Sequence, residues 1–408
     1  MVSDAPRAVR TSVRGESAAA PAARIPAHSS SYLPALDGVR AIAILMVIVC
    51  HVIIVCHTAN ELPGLTQTQN FFASLAGMGW MGVDLFFVLS GFLITGILLD
   101  VRNAKHALRT FYARRILRIV PLYVAFLLFT MWVAPVVGLS GIEETAKLRH
   151  TQLWYWTYSM NFLVARATWG ATTLPVSHLW SLAVEEQFYL LWPMAVLVLS
   201  PLTVRRTALG CIIGAELCRV VFALAGAGGQ VSYVLLPSRM DSLAAGAFLA
   251  CAFRDPVLWS RVLRARQALS FAALLLMLAT VLVHDSLDSQ STAAELVLFP
   301  AIVALASVIV STAADGARWL SGRVVRFIGR ISYGMYVWHI LALRLILTRV
   351  KIPEIAASGS WWTFYGVTMI GTVLCTMLIA LVSWHVIEQP FLQLKRLVPT
   401  TTQGGRVG

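Results

Sequence analysis

Charged residues are scarce in this sequence. Asp, Glu, Lys and Arg make up 12% of the 408 residues, whereas 58% are hydrophobic, and the mean hydropathy is +0.75. A soluble chain has about twice that share of charge and a polar face on each of its helices. The scarcity therefore excludes a soluble globular protein and predicts an all-α, polytopic membrane protein.

Paired cysteines are also missing. The six cysteines include no Cys-x-x-Cys pair, and all of them lie within or at the edges of apolar segments. This placement indicates small buried side chains rather than disulfides or a metal centre. The sequence further lacks a Walker motif, a Gly-x-Ser-x-Gly elbow and the internal repeat found in many transporters. We expect neither a metal site nor a permanently bound cofactor.

Long apolar runs are what the sequence does contain. A membrane-spanning helix needs about 20 mostly apolar residues. By that measure we predict ten spans, at 39–57, 79–99, 117–138, 182–200, 208–226, 237–253, 268–284, 294–311, 329–347 and 363–386. Residues 1–34, rich in Ala, Ser, Pro and Arg, are expected to be a disordered tail. The membrane domain then covers 35–397, and 398–408 form a second short tail.

The basic residues are distributed unevenly among the segments between spans. The net charge is +13, which would suggest nucleic acid as a partner if the protein were soluble. With the N-terminus inside, however, the inner segments carry 23 of the 32 Lys and Arg residues and the outer loops carry 5. Cytoplasmic loops of membrane proteins have such an excess. We therefore expect a multi-pass protein of the cell membrane, with both termini cytoplasmic and no nucleic-acid partner.

Two ionisable side chains belong to the first predicted span. Arg40 and His51 are 11 residues apart, which on a helix places them within about 20° of the same face and about 16 Å apart. One face thus offers a cation at the inner boundary and a titratable base within the membrane. Taken singly, Arg40 could be a boundary residue whose head reaches the interface, and His51 a core histidine bonded to a neighbour.

Asp84 begins the second predicted span from the outer side. Counting about 1.5 Å per residue from the outer boundary places Asp84 and His51 at similar depths. A carboxylate that orients a histidine and raises its basicity is a recurrent catalytic arrangement. The alternative is a structural aspartate that caps the start of the helix.

Further ionisable side chains lie in three other predicted spans. Glu185 and Glu186 occupy the first turns of the fourth span, where adjacent side chains point about 100° apart. Arg239 and Asp241 begin the sixth span, just before four small residues that allow close helix packing. His339 lies near the middle of the ninth. Because charged groups are unfavourable within a membrane, several at similar depth predict a polar, hydrated cavity.

Arginines also cluster at the inner start of the third span. Arg115 and Arg118 are three residues apart, so they share a helix face. Guanidinium groups at that position suit a ligand rich in phosphate. The alternative is the ordinary basic charge of a cytoplasmic boundary, in contact with anionic lipid.

The longest predicted outer loop, about 139–181, is rich in aromatic residues. Such residues form interfacial belts in membrane proteins, and they also provide surfaces on which sugars stack. The sequence leaves both alternatives open.

Together these segments resemble the acyltransferase-3 family of membrane acyltransferases. The matching motifs occur in family order over about residues 33–395. They are LDGVRAIAILMVIVCH, WMGVDLFFVLSGFLIT, RRILRIVPLY, SHLWSLAVEEQFYLLWP, SRMDSLAAGAF, ISYGMYVWH and SWHVIEQP. The resemblance implies transfer of an acyl group from cytoplasmic acyl-CoA to a hydroxyl, often on a sugar. Some relatives carry an SGNH hydrolase-like domain after the membrane part, and we expect this chain to act without one.

The resemblance also implies roles for particular residues. The family's essential histidine corresponds to His51, its motif arginine to Arg40, and its Arg-x2-Arg pair to Arg115 and Arg118. His51 would act as general base or carry the acyl group as an acyl-imidazole. The expected catalytic residues are His51, Asp84, Glu185 and Glu186, the CoA-binding residues Arg40, Arg115 and Arg118, and the acceptor-binding residues Arg239, Asp241 and His339.

The expected partners are the lipid bilayer, acyl-CoA as co-substrate and a carbohydrate-containing acceptor. A cell-surface or lipid-linked glycan is the first expectation, with acetyl as the transferred group. A glycosylated small molecule such as a macrolide is the alternative acceptor. Two further hypotheses are a ten-span proton-coupled transporter, which would move substrate without consuming acyl-CoA, and a non-catalytic flippase or scaffold.

Overall fold

The computed structural model describes residues 32–59, 66–284, 291, 294–349 and 361–398, and every regular element in these ranges is helical. The predicted tails lie almost entirely outside the described residues. The α-helices are α1 (Pro34–Ala59), α2 (Gln67–Gly77), α3 (Gly82–Val101), α4 (Ala107–Leu128), α5 (Ile142–His150), α6 (Gln152–Trp156), α7 (Met160–Ala167), α8 (Leu179–Val198), α9 (Pro201–Leu224), α10 (Gly229–Val234), α11 (Leu236–Ala252), α12 (Pro256–His284), α13 (Phe299–Ala314), α14 (Arg323–Arg349), α15 (Trp361–Ser383) and α16 (Gln389–Gln393).

Shorter 3₁₀ and π turns extend or connect these helices. The 3₁₀ turns are Met78–Met81, Trp169–Ala171, Leu174–Val176, Arg318–Ser321 and Leu394–Leu397, and the π turns are Phe129–Val133, Ala294–Leu298 and Trp384–Glu388. Local sequence explains several helix starts. Thr66 and Gln69 form a reciprocal capping box before α2, and Ser200 caps α9 with Pro201 in the first turn.

Each of the ten predicted spans overlaps one long helix. Nine helical segments of the described residues are long and apolar enough to cross a membrane. The remaining predicted span corresponds to α8, a 20-residue helix, in which Glu185, Glu186 and Gln187 lower the hydropathy. The all-α, multi-pass architecture predicted from the sequence is confirmed.

Helix α1 lies in the middle of the bundle. It packs against α3, α13, α14 and α15, and its side chains Val39, Ile44 and Ile48 are fully buried. A central position explains why α1 is apolar on all sides except at a few polar residues. Of these, Asp37 is buried and Arg40 and His51 are partly exposed.

Helices α3 and α11 cross with their backbones in contact. A Cβ atom on Gly246 would lie 1.9 Å from the carbonyl oxygen of Val88, and one on Gly91 would lie 1.8 Å from that of Leu243. Only glycine fits at either position. The close packing expected from the small residues after Asp241 is therefore confirmed.

The aromatic segment 139–181 contains α5–α7 and packs on the bundle. The hydroxyl of Tyr123 donates to the carbonyl oxygen of Tyr155 at 2.8 Å, and the Tyr123 and Tyr158 rings stack at 4.3 Å. Tyr155 is fully buried. At least these two aromatic side chains of the segment thus serve helix packing, a role that neither sequence-based alternative included.

Candidate active site

A cavity of about 460 Å³ lies among α1, α3, α4, α8 and α14. Its cationic lining residues come from the start of α1, the first half of α4 and the last turn of the described chain. They are Arg40, Arg114, Arg115, Arg118 and Lys395. The three predicted CoA-binding arginines are therefore brought together, although α4 is distant from α1 in the sequence.

Most of the positive charge in this cavity is not neutralised by carboxylates. Arg40 pairs with Asp37, but no ion pair joins Arg115 or Arg118 to an acidic side chain anywhere in the described ranges. The Arg115 guanidinium instead lies over the Tyr189 ring, 3.9 Å from its centre. A guanidinium group held in this way can donate two parallel hydrogen bonds to the oxygens of one phosphate.

The two adjacent glutamates of α8 face different surroundings. Glu185 lines the cavity together with Ser90 and Tyr189, whose hydroxyls are hydrogen-bonded to each other. Glu186 does not line it, and its buried Oε1 has no hydrogen-bond partner among the described residues. Of the pair, only Glu185 is positioned to meet a ligand in the cavity.

Three histidine rings meet in the interior of the bundle. The centres of His51 and His339 are 4.8 Å apart, and those of His339 and His178 are also 4.8 Å apart. The rings come from α1, α14 and the residue that precedes α8. We call these three residues the histidine cluster. The sequence predicted His51 and His339 as site residues, but it did not predict that their rings would be in contact.

Backbone carbonyls orient two rings of the histidine cluster. Nδ1–H of His51 donates to the carbonyl oxygen of Val47 at 2.8 Å, and Nδ1–H of His339 donates to that of Tyr336 at 2.7 Å. A carbonyl oxygen only accepts, so Nδ1 carries the proton and Nε2 of a neutral ring is left as a base. His339 and His178 are buried, while His51 is partly exposed.

The far end of the cavity adjoins the histidine cluster without including it. Ser181 and Tyr336 line the cavity. The Tyr336 hydroxyl donates to the carbonyl oxygen of His178 at 2.7 Å, and the Ser181 hydroxyl donates to the same oxygen at 3.3 Å. The Tyr336 ring also lies 5.4 Å from the centre of the His178 ring and 5.7 Å from that of His339, so it contacts both the cavity and the histidine cluster. The arrangement connects an anion-binding end to a group of bases.

The expected hydrogen bond between Asp84 and His51 is not formed. Oδ1 of Asp84 accepts from the Arg239 guanidinium and from the Ser242 hydroxyl, each at 2.7 Å, and Oδ2 has no partner in the described structure. Both members of the Asp84–Arg239 ion pair are fully buried. The prediction estimated the depths of Asp84 and His51 from helical rise alone. Rise does not specify how a helix is rotated about its axis, and in the structure α3 is rotated so that Asp84 faces α11 rather than α1.

Asp241 is likewise engaged in an ion pair. It contacts the Arg219 guanidinium at 2.8 Å, and Arg219 also contacts Glu216. Neither Arg239 nor Asp241 lines the cationic cavity. The sequence predicted Arg239 and Asp241 as acceptor-binding residues. In this structure both form buried ion pairs with side chains of other helices, and acceptor binding by them stays a prediction.

Among the side chains at this site that the sequence predictions did not single out are His178 and Lys395. His178 was visible as the histidine of SHLW, but its partners come from other helices and only the fold brings them together. Lys395 follows the last predicted span, and counting charge assigned it only to the inner boundary. The available signal for His178 was its position just before a predicted span that carries polar residues near its start.

The structure is that of a multi-pass membrane protein in which a cavity lined by cationic side chains adjoins three imidazoles. The acyltransferase-3 family, described as "Acyltransferase domain", matches residues 33–381. The chain belongs to this family.

Curated relatives are similar over most of the chain. YrhL of Bacillus subtilis, provisionally named a peptidoglycan O-acetyltransferase, is 30% identical over 387 residues, which cover 88% of this chain and 55% of YrhL. The peptidoglycan O-acetyltransferase OatA of Listeria monocytogenes is 28% identical over 387 residues, covering 89% of this chain and 56% of OatA. The chain thus spans about half the length of these relatives. No solved structure matches it.

Proposed function

We propose that this protein is a membrane O-acetyltransferase that moves an acetyl group from acetyl-CoA to a sugar hydroxyl. The observation that carries the proposal is the cavity described above, which has cationic side chains at one end and adjoins the histidine cluster at the other. Membership of an acyltransferase family makes the transporter hypothesis less favourable, because that hypothesis requires no acyl donor.

The cationic end suits the phosphates of CoA. Arg115 and Arg118 have no carboxylate partner in the described chain, so binding a phosphate need not break an ion pair. The pantetheine arm would follow the apolar wall of the cavity toward Ser181 and Tyr336. That orientation brings the thioester to the level of the histidine cluster, with the donor on the cytoplasmic side of the cell membrane.

His51 is the proposed base. Nε2 of its neutral ring takes the proton of the acceptor hydroxyl as the oxygen attacks the thioester carbonyl. The carbon–sulfur bond breaks, and the proton passes to the departing thiolate, which leaves as CoA. In the alternative route, Nε2 itself attacks the thioester and releases CoA, and the acceptor then takes the acetyl group from the acyl-imidazole.

The acceptor that we propose is a hydroxyl of a cell-surface or lipid-linked glycan. The name of OatA states peptidoglycan O-acetyltransferase activity, and peptidoglycan is therefore the first acceptor to test. A glycosylated small molecule remains the second, since it offers the same sugar hydroxyls.

The first test is His51→Ala in protein purified into nanodiscs and supplied with radiolabelled acetyl-CoA, with and without peptidoglycan fragments as acceptor. We expect CoA release to fall about 10²–10⁴-fold, the usual contribution of a positioned general base. His385→Ala is the matched control, because His385 also donates Nδ1–H to the carbonyl four residues earlier but is exposed. Turnover retained by His51→Ala would refute the assignment. Stable label on the wild-type protein would favour the acyl-imidazole route.

The second test separates donor binding from chemistry. Arg118→Ala is expected to raise the KM for acetyl-CoA about tenfold to a hundredfold with little change in kcat, since a hydrogen bond to a charged group contributes about 1.5–3 kcal/mol. Arg109→Ala is the control, because Arg109 is exposed on the same helix and does not line the cavity. Equal KM values for the two variants would argue against phosphate binding by Arg118.

A further inference from the structure

A second concavity, of about 680 Å³, lies among α9, α11, α12 and α13. We call it the lateral groove. It shares no lining residue with the cationic cavity, and most of its wall is aliphatic. The groove opens sideways to the bilayer, since the lining residues Ile213 and Leu269 are 62% and 43% exposed.

Buried charged side chains line one end of the lateral groove. Arg219 and Asp241 line it and are paired with each other at 2.8 Å, and Glu216 also contacts Arg219. This ion-paired set closes the apolar channel within the bundle. An apolar chain that entered the groove would end there.

Two arginines mark the opposite limit. Arg266 is engaged with Asp315 at 3.0 Å and with Thr312 at 3.1 Å. Arg261 also lines the groove, and it has neither an ion pair nor a hydrogen bond within the described part of the chain. One guanidinium is therefore free to bind an anion at this end.

The length of the lateral groove matches one leaflet of a membrane. Along α13 its lining extends from Pro300 to Ser311, and 11 residues of helix rise about 16 Å. The hydrocarbon core of a bilayer is about 30 Å thick, so the groove covers about half of it. Arg261 follows the start of α12 by only five residues, which places it near the surface of the bilayer.

We propose that the lateral groove binds an anionic glycerophospholipid, with the phosphate on Arg261 and an acyl chain along the aliphatic wall. Arg261, at the end near the membrane surface, offers a positive charge to the lipid phosphate. The aliphatic wall is about as long as one leaflet, so it can contact one acyl chain along its length. Bound there, the lipid fills the space between α9 and α12. This site is separate from the acetyl-transfer site and does not depend on the function proposed above.

The test is native mass spectrometry of the detergent-purified chain with dioleoyl phosphatidylglycerol or dioleoyl phosphatidylcholine. We expect the wild type to retain phosphatidylglycerol preferentially. Arg261→Gln should weaken this binding about fivefold, the effect expected for one arginine near a lipid headgroup. Arg264→Gln should leave it unchanged, because Arg264 is exposed on the same helix and outside the groove.

A second pair of variants tests the groove itself. Ala265→Trp fills the lining, whereas Ala268→Trp places the same side chain on the exposed face of α12. Only the first should abolish retention of phosphatidylglycerol, with both proteins monodisperse in size-exclusion chromatography. Equal retention of the two lipids, no effect of Arg261→Gln and Ala265→Trp, or preferential binding of a polyprenyl phosphate would each overturn the proposal.

Discussion

The histidine cluster is a contact between three imidazoles that the chain brings from distant positions. Only His51 is partly exposed, whereas His178 and His339 are 2% and 1% exposed. His339 lies between the other two rings. The His339 ring packs against one side of the His51 ring. The hydrogen bond from His51 Nδ1–H to the Val47 carbonyl oxygen further limits rotation of the His51 ring. The proposed base is therefore positioned by neighbours that do not line the cationic cavity.

His178→Ala is predicted to lower kcat about a hundredfold, because a displacement of about 1 Å at a reacting group has an effect of that size. The KM for acetyl-CoA should stay the same, since the His178 side chain does not line the cationic cavity. The measurement is steady-state turnover, with and without added imidazole. Rescue by imidazole would separate loss of the ring from misfolding. A variant with normal kcat would contradict a positioning role for His178.

Sequence reasoning grouped some of the predicted site residues correctly in space, but it did not find the hydrogen-bond partner of Asp84. Arg40, Arg115 and Arg118 were identified as one anion-binding group, and they do line one cavity. Asp84 was assigned to His51 because helical rise gives depth but not rotation. Its true partner, Arg239, lies 155 positions away on α11. Such pairings depend on how helices are rotated in the bundle, which a single sequence does not specify.

At the scale of elements, the crossing of α3 and α11 is the tightest helix contact described here. It rests on Gly91 and Gly246, each opposed by a carbonyl oxygen of the other helix. The same two helices carry the buried Asp84–Arg239 pair. Close approach of the backbones therefore brings a buried carboxylate to a guanidinium that it could not otherwise reach.

Gly246→Ala is predicted to lower the melting temperature of the purified protein. The new methyl group would meet the Val88 carbonyl oxygen, and overpacking of this kind costs about 1–3 kcal/mol. Gly214→Ala on α9 is the control. A Cβ there meets nothing within 4 Å, and alanine is favoured in helices by about 1 kcal/mol. Equal melting temperatures would show that the crossing can relax.

The helices themselves were predictable because apolar runs of sufficient length are local features of the chain. All ten predicted spans overlap long helices. The least apolar of them, α8, was still identified because its polar residues are few and adjacent. The packing of α5–α7 on the bundle was not predicted. Short helices in a loop depend on contacts with distant segments more than on their own periodicity.

At the scale of the whole molecule, the ten helices should place the segment before α1 and the segment after α15 on the same side. The cationic residues Arg40, Arg118 and Lys395 meet in one cavity, as expected if these chain segments share an end of the bundle. Charge counting assigns that end to the cytoplasm. A cytoplasmic opening would give the cavity direct access to acyl-CoA.

Cysteine labelling tests this orientation. In intact cells, an impermeant maleimide is expected to label Arg166→Cys but not Lys105→Cys, and permeabilisation should expose the second. Both native side chains are exposed, and they belong to segments predicted on opposite sides. The six native cysteines are buried or partly buried, so an otherwise unchanged chain serves as the background. The reverse pattern would place the cationic cavity outside the cell.

Under the proposed function, the cationic end of the cavity has a metabolic consequence. Its arginines and lysine would contact phosphates, which acetyl-CoA shares with the CoA that the reaction releases. Free CoA would therefore compete with acetyl-CoA for the same guanidinium groups. The rate of acetylation would then follow the ratio of acetyl-CoA to free CoA in the cell. Acetylation by the proposed reaction would in this way depend on the supply of acetyl groups in the cell.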